Sequence, residues 1–274
     1  MSDERTFGHV RGEVDADGVG AVTLDRPERL NAVDGELIGS MIDAFTWVGE
    51  HQRCRSVVLA GRGLSFCAGL DLHNGLGTNT FHDPVLEVEH GIRRGAAVVR
   101  IMREIPQPVI AAVHGYAVGA GFAFAAAADI RLASPDARFN AVFVKIGMSA
   151  GDLGLSWLLP RIIGAGRAAD LFLTGSELTA QHALAAGFVA GIESDPHAAA
   201  QRRARDIALL PSYGVVTTKR LLNASLDVSG LHQHLESEVR AQALGMLTDD
   251  HRAALQRFRT PRAAAIPTPT GAPS

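Results

Sequence analysis

Two small-residue turns, far apart in the chain, offer chemistry through their backbones rather than their side chains. The first is Ser65-Phe66-Cys67-Ala68-Gly69-Leu70-Asp71-Leu72, which follows an apolar run at 56–60. The second is His114-Gly115-Tyr116-Ala117-Val118-Gly119-Ala120-Gly121-Phe122-Ala123-Phe124, which follows an apolar run at 108–113 and continues through alanines to Asp129. A helix opening on Gly119-Ala120-Gly121 leaves its first N–H groups without intrahelical acceptors, and little side-chain bulk stands over them. Such a terminus suits an oxygen that becomes negative during a reaction, provided a second donor arrives from elsewhere. The 65–72 turn is the natural supplier. Taken singly, each turn is equally well a plain strand-to-helix connection.

Taken together and in this order, the turns resemble the crotonase superfamily, the enoyl-CoA hydratase/isomerase group. The matching pieces are Asp25-Arg26-Pro27-Glu28-Arg29-Leu30-Asn31-Ala32, the 66–72 turn, Pro106-Gln107-Pro108-Val109 with the apolar run behind it, and the 114–129 stretch. Ala137-Arg138-Phe139, Gly147, Gly154 and Leu159-Pro160-Arg161-Ile162-Ile163-Gly164 extend the likeness, which runs from about residue 12 to 222. The resemblance implies an α/β chain built as a repeated ββα superhelix with a C-terminal α-helical oligomerisation region. It assigns the oxyanion donors to the amides of Leu70 and Ala120, acting on a CoA thioester. It also implies substrate contacts at Arg29, Leu30, Ala32, Ala68, Gly69, Asp71, Leu72, Tyr116, Gly119, Gly121, Ala123 and Phe143. Coenzyme A enters as part of the substrate, with no separate cofactor. Phe258 and Arg262 fit a C-terminal phosphate contact, although Pro261-Arg262 replaces the basic pair usual in the family.

Hydration of an enoyl thioester needs one group to deprotonate water and another to protonate carbon. The positions that carry the two glutamates in typical hydratases of this family correspond here to Ala123 and Phe143, and neither can move a proton. Asp152 remains. It aligns with an aspartate that dienoyl-CoA isomerases use, at the cost of one extra residue after Gly147. Asp152 also precedes a helix expected from Leu153, where an aspartate is a preferred cap. Single-carboxylate chemistry favours double-bond migration over two-glutamate hydration. Thioester hydrolysis and acyl-CoA binding without turnover stay open.

A rival from another class is Gly147-Met148-Ser149-Ala150-Gly151, a Gly-x-Ser-x-Gly pattern with Asp170, His182 and His197 downstream in the order a hydrolase triad requires. A dinucleotide fingerprint fails, because Phe124 stands where the third small residue belongs. His232 and His234 lie two apart on a helix and point to different faces, so they do not suggest a metal site.

The elements that must position the turns follow from periodicity. Segments 10–14 and 19–24 pattern as a hairpin through Asp15-Ala16-Asp17-Gly18. A helix capped by Asp34 carries Leu37, Ile38, Met41, Ile42, Phe45 and Val48 on one face. Residues 73–84 read as a mobile polar loop. A helix after it carries Val85, Val88, Ile92, Ala96 and Val99 at helical spacing, with His90, Arg93 and Arg94 solvated. His82, Asp83, Glu87 and His90 are spare acids or bases there. Domain boundaries are expected at 1–194 for the core, 195–262 for a helical region and 263–274 for a disordered tail. The apolar positions Leu221, Leu222, Leu231, Leu235, Val239 and Met246 suggest subunit contact, and the resemblance implies a homotrimer or a hexamer of paired trimers.

Composition bounds the rest. At 274 residues and 47% hydrophobic, the chain can bury a large core. A formal charge of −3 with no basic block argues against a nucleic-acid face. Lys145 and Lys219 are the only lysines, so arginine supplies nearly all the positive charge. Cys54 and Cys67 form no disulfide framework and suit a reducing cytoplasm. The first residues show no export signal, and no apolar stretch is long enough to span a membrane.

Overall fold

The computed structural model describes residues 2–228 and 230–259. Arg262 and the tail 263–274 lie outside the described residues, as does the side chain of Phe258. Strands β1 (Asp3–Phe7), β2 (Val10–Val14) and β3 (Val19–Leu24) form an antiparallel meander, which extends the expected hairpin by one strand. Helix α1 (Gly35–Glu50) leads to β4 (Ser56–Gly61), and α2 (Pro84–Glu104) leads to β5 (Val109–Val113). Then come β6 (Tyr116–Val118), α3 (Ala120–Ala127), β7 (Ile130–Ala133) and β8 (Arg138–Asn140). Helices α4 (Leu155–Ile163) and α5 (Ala165–Thr174), β9 (Glu177–Thr179), α6 (Ala180–Ala185), β10 (Gly191–Ile192) and α7 (Pro196–Ala208) complete the first compact unit.

The large sheet has the order β1-β2-β3-β4-β5-β7-β10, parallel from β3 onward, and a small sheet has the order β6-β8-β9. The chain passes repeatedly from a large-sheet strand to the small sheet and then to a helix. It does so through β5, β6 and α3, and again through β7, β8 and α4. The passage from β4 to α2 makes the same move, with a parallel bridge between Cys67 and Ala117 standing for the small-sheet strand. This is the expected ββα repeat. Sequence explains its core: β5 reads Val-Ile-Ala-Ala-Val and is buried throughout, as a central parallel strand must be. Helix α3 has no polar side chain and is buried on every side.

Helix α7 belongs with this core. Ala199, Ala200 and Ala204 pack against Val58, Ile110 and Leu132, and Ser56 Oγ donates to the Ala204 carbonyl at 2.9 Å. The compact unit therefore ends at Leu210, and the separate helical unit begins at Pro211 rather than at 195. That second unit contains α8 (Ser212–Ala224), α9 (Leu231–Met246) and α10 (Asp249–Arg259). Within it, Tyr213 Oη donates to the Ala241 carbonyl at 2.9 Å. Leu222, Leu231, Leu235, Val239 and Met246 are exposed, while Leu221 is half-buried.

Buried polar groups hold the first functional turn in place. Asn31, in a left-handed conformation with φ of 56°, is fully buried. Its side chain accepts from the Arg26 amide and donates to the carbonyls of Arg62, Ser65 and Phe66. The buried Arg26 guanidinium pairs with Asp34 at 3.1 Å and Asp71 at 3.0 Å, and donates to the Ala32 carbonyl. Asp34 in turn caps α1, accepting from Leu37 N at 2.9 Å. Burial alone would push the Asp71 carboxyl up. The amides of His73 and Asn74 and the guanidinium of Arg26 outweigh that and hold it below the ordinary range.

The second turn is held by close approach. A Cβ on Gly121 would lie 2.3 Å from the Cys67 carbonyl oxygen, so only glycine lets α3 seat against the 66–72 turn. Gly121→Ala is expected to cost about 1–3 kcal/mol through overpacking. Arg26→Ala should cost about 3–5 kcal/mol, because it strands two buried carboxylates. Denaturant unfolding measures both. The Asp71 contribution is fully present above its unfolded pKa and is lost as pH falls through its lower folded value. The Arg26→Ala protein should therefore lose less stability than wild type on acidification below about pH 4.

Candidate active site

A cavity of about 380 Å³ lies against both turns, α2 and the segment 142–153. This is near the lower end of the usual range for small-molecule sites, roughly 300–1,000 Å³. Its walls are mainly aliphatic, with Val33, Ile38, Leu76, Ile92, Val118 and Ile146 prominent. Among the described residues that line it, Asp152 alone has a titratable side chain.

The backbone supplies the other polar groups. Leu70 bridges Val33 in parallel register, with Val33 N donating to the Gly69 carbonyl and Asp71 N donating to the Val33 carbonyl. In such a bridge the intervening residue turns its own N–H to the opposite side. The Leu70 amide accordingly has no acceptor among the described residues, and Leu70 lines the cavity. Ala120 is the first residue of α3, behind Gly119 at φ 52° and ψ −111°. Its amide is likewise without an acceptor among the described residues, at the positive end of the helix dipole. The two turns touch at Gly69, whose φ of 86° suits glycine. A Cβ there would lie 2.6 Å from the Val118 carbonyl oxygen and 3.7 Å from Ala120 N. Two donors from distant loops thus line one cavity, as an oxyanion site requires.

Asp152 is half-buried, and its Oδ1 accepts from Leu153 N at 2.9 Å. Burial pushes its carboxyl pKa up, and the Leu153 amide offsets part of that rise. It does not cap the next helix: α4 starts at Leu155, two residues later than expected from the sequence, and Gly154 at its N-cap makes no side-chain bond. A carboxyl with a raised pKa lining the same cavity as two donors that have no acceptor among the described residues is the arrangement expected of an acid or base.

The expected substrate contacts divide into two groups. Ala68, Gly69, Leu72, Gly119 and Phe143 line the cavity with Leu70, Ala120 and Asp152. The Phe143 ring lies over Gly119, 3.7 Å from where a Cβ would stand. Arg29, Leu30 and Ala32 stand outside the lining, on a turn joined to it where Ala68 N donates to the Leu30 carbonyl at 3.0 Å. Tyr116 is half exposed and Gly121 is spent on packing against Cys67, so neither lines the cavity. Ala123 is fully buried inside α3. The Asp71 side chain is committed to Arg26, His73 and Asn74, which leaves it no role toward a ligand in the cavity.

Several lining residues escaped sequence reasoning, among them Gly75, Leu76, Gly77 and Gly95. The face expected on α2 was the available signal. Val88 and Ile92 turn to the cavity, Val85 is exposed, and the buried positions are Gly91, Gly95, Val98 and Met102. The spare groups around 82–90 are occupied or exposed. Asp83 caps α2, Glu87 binds the preceding loop, and His90 stacks edge-on against Phe81. Ser149 lies outside the lining, follows a 3-10 turn (Val142–Ile146) rather than a strand, and accepts from Gly151 N, so the elbow context is missing. Burial pushes both thiols, Cys54 and Cys67, up to about 12, which leaves them poor nucleophiles.

Comparison with known proteins places the fold and the family. The enoyl-CoA hydratase/isomerase family model matches residues 15–265. A probable enoyl-CoA hydratase of Mycobacterium tuberculosis is 36% identical over 225 residues, covering 80% of this chain and 79% of the relative. The 1,2-epoxyphenylacetyl-CoA isomerase of Escherichia coli is 33% identical over 259 residues, covering 89% and 93%. The crystal structure of a probable enoyl-CoA hydratase/isomerase from Mycobacterium abscessus superposes with a TM-score of 0.85 at 31% identity, covering 91% of this chain and 95% of that one. With two amide donors and a carboxyl on one apolar cavity, and these likenesses running over most of its length, the chain belongs to the enoyl-CoA hydratase/isomerase family.

Proposed function

We propose that this protein is an acyl-CoA enzyme that moves a carbon–carbon double bond along an enoyl thioester, rather than adding water across it. The observation that carries this reading is that two amide donors without an acceptor among the described residues share one cavity with a single carboxyl. The thioester carbonyl oxygen accepts from Leu70 N and Ala120 N. Ionised Asp152 takes a proton from the carbon alpha to the thioester of a 3-enoyl substrate, and the electrons move onto the carbonyl oxygen as a dienolate. The same carboxyl, now protonated, returns the proton at the gamma carbon, and the double bond moves to the alpha–beta position. Charge develops on the oxygen on the way to the dienolate and is absent in the bound substrate, so the donors act where stabilisation counts; one such donor is worth about 2.7–4 kcal/mol elsewhere.

Water addition would need a second group to hold the nucleophile. Phe143 and aliphatic side chains occupy the cavity wall instead, and Ala123 is sealed in the core. The Escherichia coli relative, named for isomerising an epoxide-bearing acyl-CoA, supports acyl-CoA chemistry at such a site. The turn carrying Arg29 beside Ala68 supports a place for the CoA portion outside the apolar cavity. The exposed leucines of α9 support assembly of copies into a trimer or hexamer.

Incubation with 2-enoyl- and 3-enoyl-CoA esters should interconvert them with no change of mass; a product heavier by one water would reject this reading in favour of hydration. Asp152→Asn should bind acyl-CoA with unchanged affinity and lose turnover by about 10²-fold or more. The wild-type rate should rise with pH on an acid limb whose midpoint lies above the ordinary aspartate value of about 3.9. Stability should show the opposite sign. Because the folded-state pKa is raised, wild type is progressively penalised as pH rises above the unfolded value. Asp152→Asn should therefore melt higher at neutral pH, and the difference should vanish below about pH 4.

A further inference from the structure

The segment 71–81, which overlaps the 73–84 stretch expected from the sequence to be mobile, is clasped at both ends by carboxylates. At its start Asp71 Oδ1 accepts from His73 N at 2.9 Å and Asn74 N at 3.2 Å, while the Asp71 carbonyl accepts from Gly75 N. At its end Glu87, in the first turn of α2, accepts from Thr78 N, from Thr78 Oγ1 at 2.9 Å, from Thr80 N at 3.0 Å and from Phe81 N at 2.8 Å. The amides of Phe81 and Thr78 hold the Glu87 carboxyl down to about 2, so it stays ionised across the physiological range.

Between the clasps, Gly75, Leu76 and Gly77 line the cavity. The strap rests directly on two helices: a Cβ on Gly35 of α1 would lie 2.5 Å from the Gly77 carbonyl oxygen. A Cβ on Gly91 of α2 would lie 2.5 Å from the Leu76 carbonyl oxygen. Glycine at both points lets the strap sit deep enough for Leu76 to form cavity wall. Asp71 is fixed independently by Arg26. Glu87, which does not itself line the cavity, is the clasp at the other end.

We propose that Glu87 is a positioning residue for acyl selectivity: by clasping residues 78–81 it fixes Leu76 as a wall of the cavity, and so sets the affinity for acyl groups large enough to reach that wall. This rests on the acyl-CoA reading above. A carboxylate suits the task because charge-assisted bonds to several amides are stronger than neutral ones.

The test is calorimetric titration of the full-length wild type, Glu87→Ala and Glu87→Gln with free CoA, acetyl-CoA and hexanoyl-CoA, alongside amide hydrogen exchange. Hexanoyl-CoA should bind Glu87→Ala about tenfold more weakly, while acetyl-CoA and free CoA change by less than about twofold. Glu87→Gln should fall between, since its amide accepts at one position and meets donors at the other. The amides of Thr78, Thr80 and Phe81 should exchange faster in both variants. Equal hexanoyl-CoA affinity in all three proteins would overturn the proposal. So would a parallel loss of all three ligands, which would mark Glu87 as a residue of the fold alone. A wild type that binds hexanoyl-CoA no better than free CoA would instead overturn the acyl-CoA reading beneath it, and the role of Glu87 with it.

Discussion

The Arg26 guanidinium, buried between Asp34 and Asp71, is the interaction on which the rest of the site depends. It joins three pieces of chain that share no secondary structure: the turn after β3, the start of α1 and the loop carrying Leu70. Removing charge from water costs several kcal/mol per ion, so such a cluster persists only when its remaining hydrogen-bonding capacity is filled. Here most of it is met by the Ala32 carbonyl and the amides of Leu37, His73 and Asn74, and Asp71 Oδ2 is left to its ion pair with Arg26. The consequence is geometric. With Asp71 held in place, the peptide before it is held too, and the Leu70 N–H points to the side of its bridge away from Val33.

Close backbone approach does the corresponding work for the second donor. Gly121 lets α3 lie against Cys67, and Gly69 lets the first turn lie against Val118. An oxyanion site made of main-chain amides needs no particular side chain at residues 70 and 120, only small residues around them. That is why its signature is glycine and alanine. It also explains why Asp71, the polar residue in the motif, serves the scaffold.

Much of this was legible in the sequence. The Val-Ile-Ala-Ala-Val strand, the apolar helix beginning at Ala120 and the cap at Asp34 follow from local pattern and agree with the fold. The resemblance carried by the two turns led to the family and to Leu70, Ala120, Asp152 and Phe143 as cavity residues. The failures have a common physical origin. Helix α7 reads as part of the tail because it opens a nearly all-helical run and is polar on average, yet its alanines are the residues small enough to pack on the sheet. The 73–84 segment looked mobile because it is polar and glycine-rich. Glycines on the neighbouring helices, Gly35 and Gly91, permit its tight seating, and its own amides meet the Glu87 carboxylate. Partners so placed are visible only after the chain has folded.

An aliphatic cavity with one carboxyl disfavours ionisation of that carboxyl and, by the same low polarity, strengthens any hydrogen bond to a developing oxyanion. The most direct measurement is difference infrared spectroscopy of an acyl-CoA carrying a 13C-labelled thioester carbonyl, free and bound. The bound carbonyl stretch should move to lower frequency, as two amide donors polarise it, and should do so in Asp152→Asn as well as in wild type. A carbonyl that binds with its frequency unshifted would contradict an oxyanion site at residues 70 and 120.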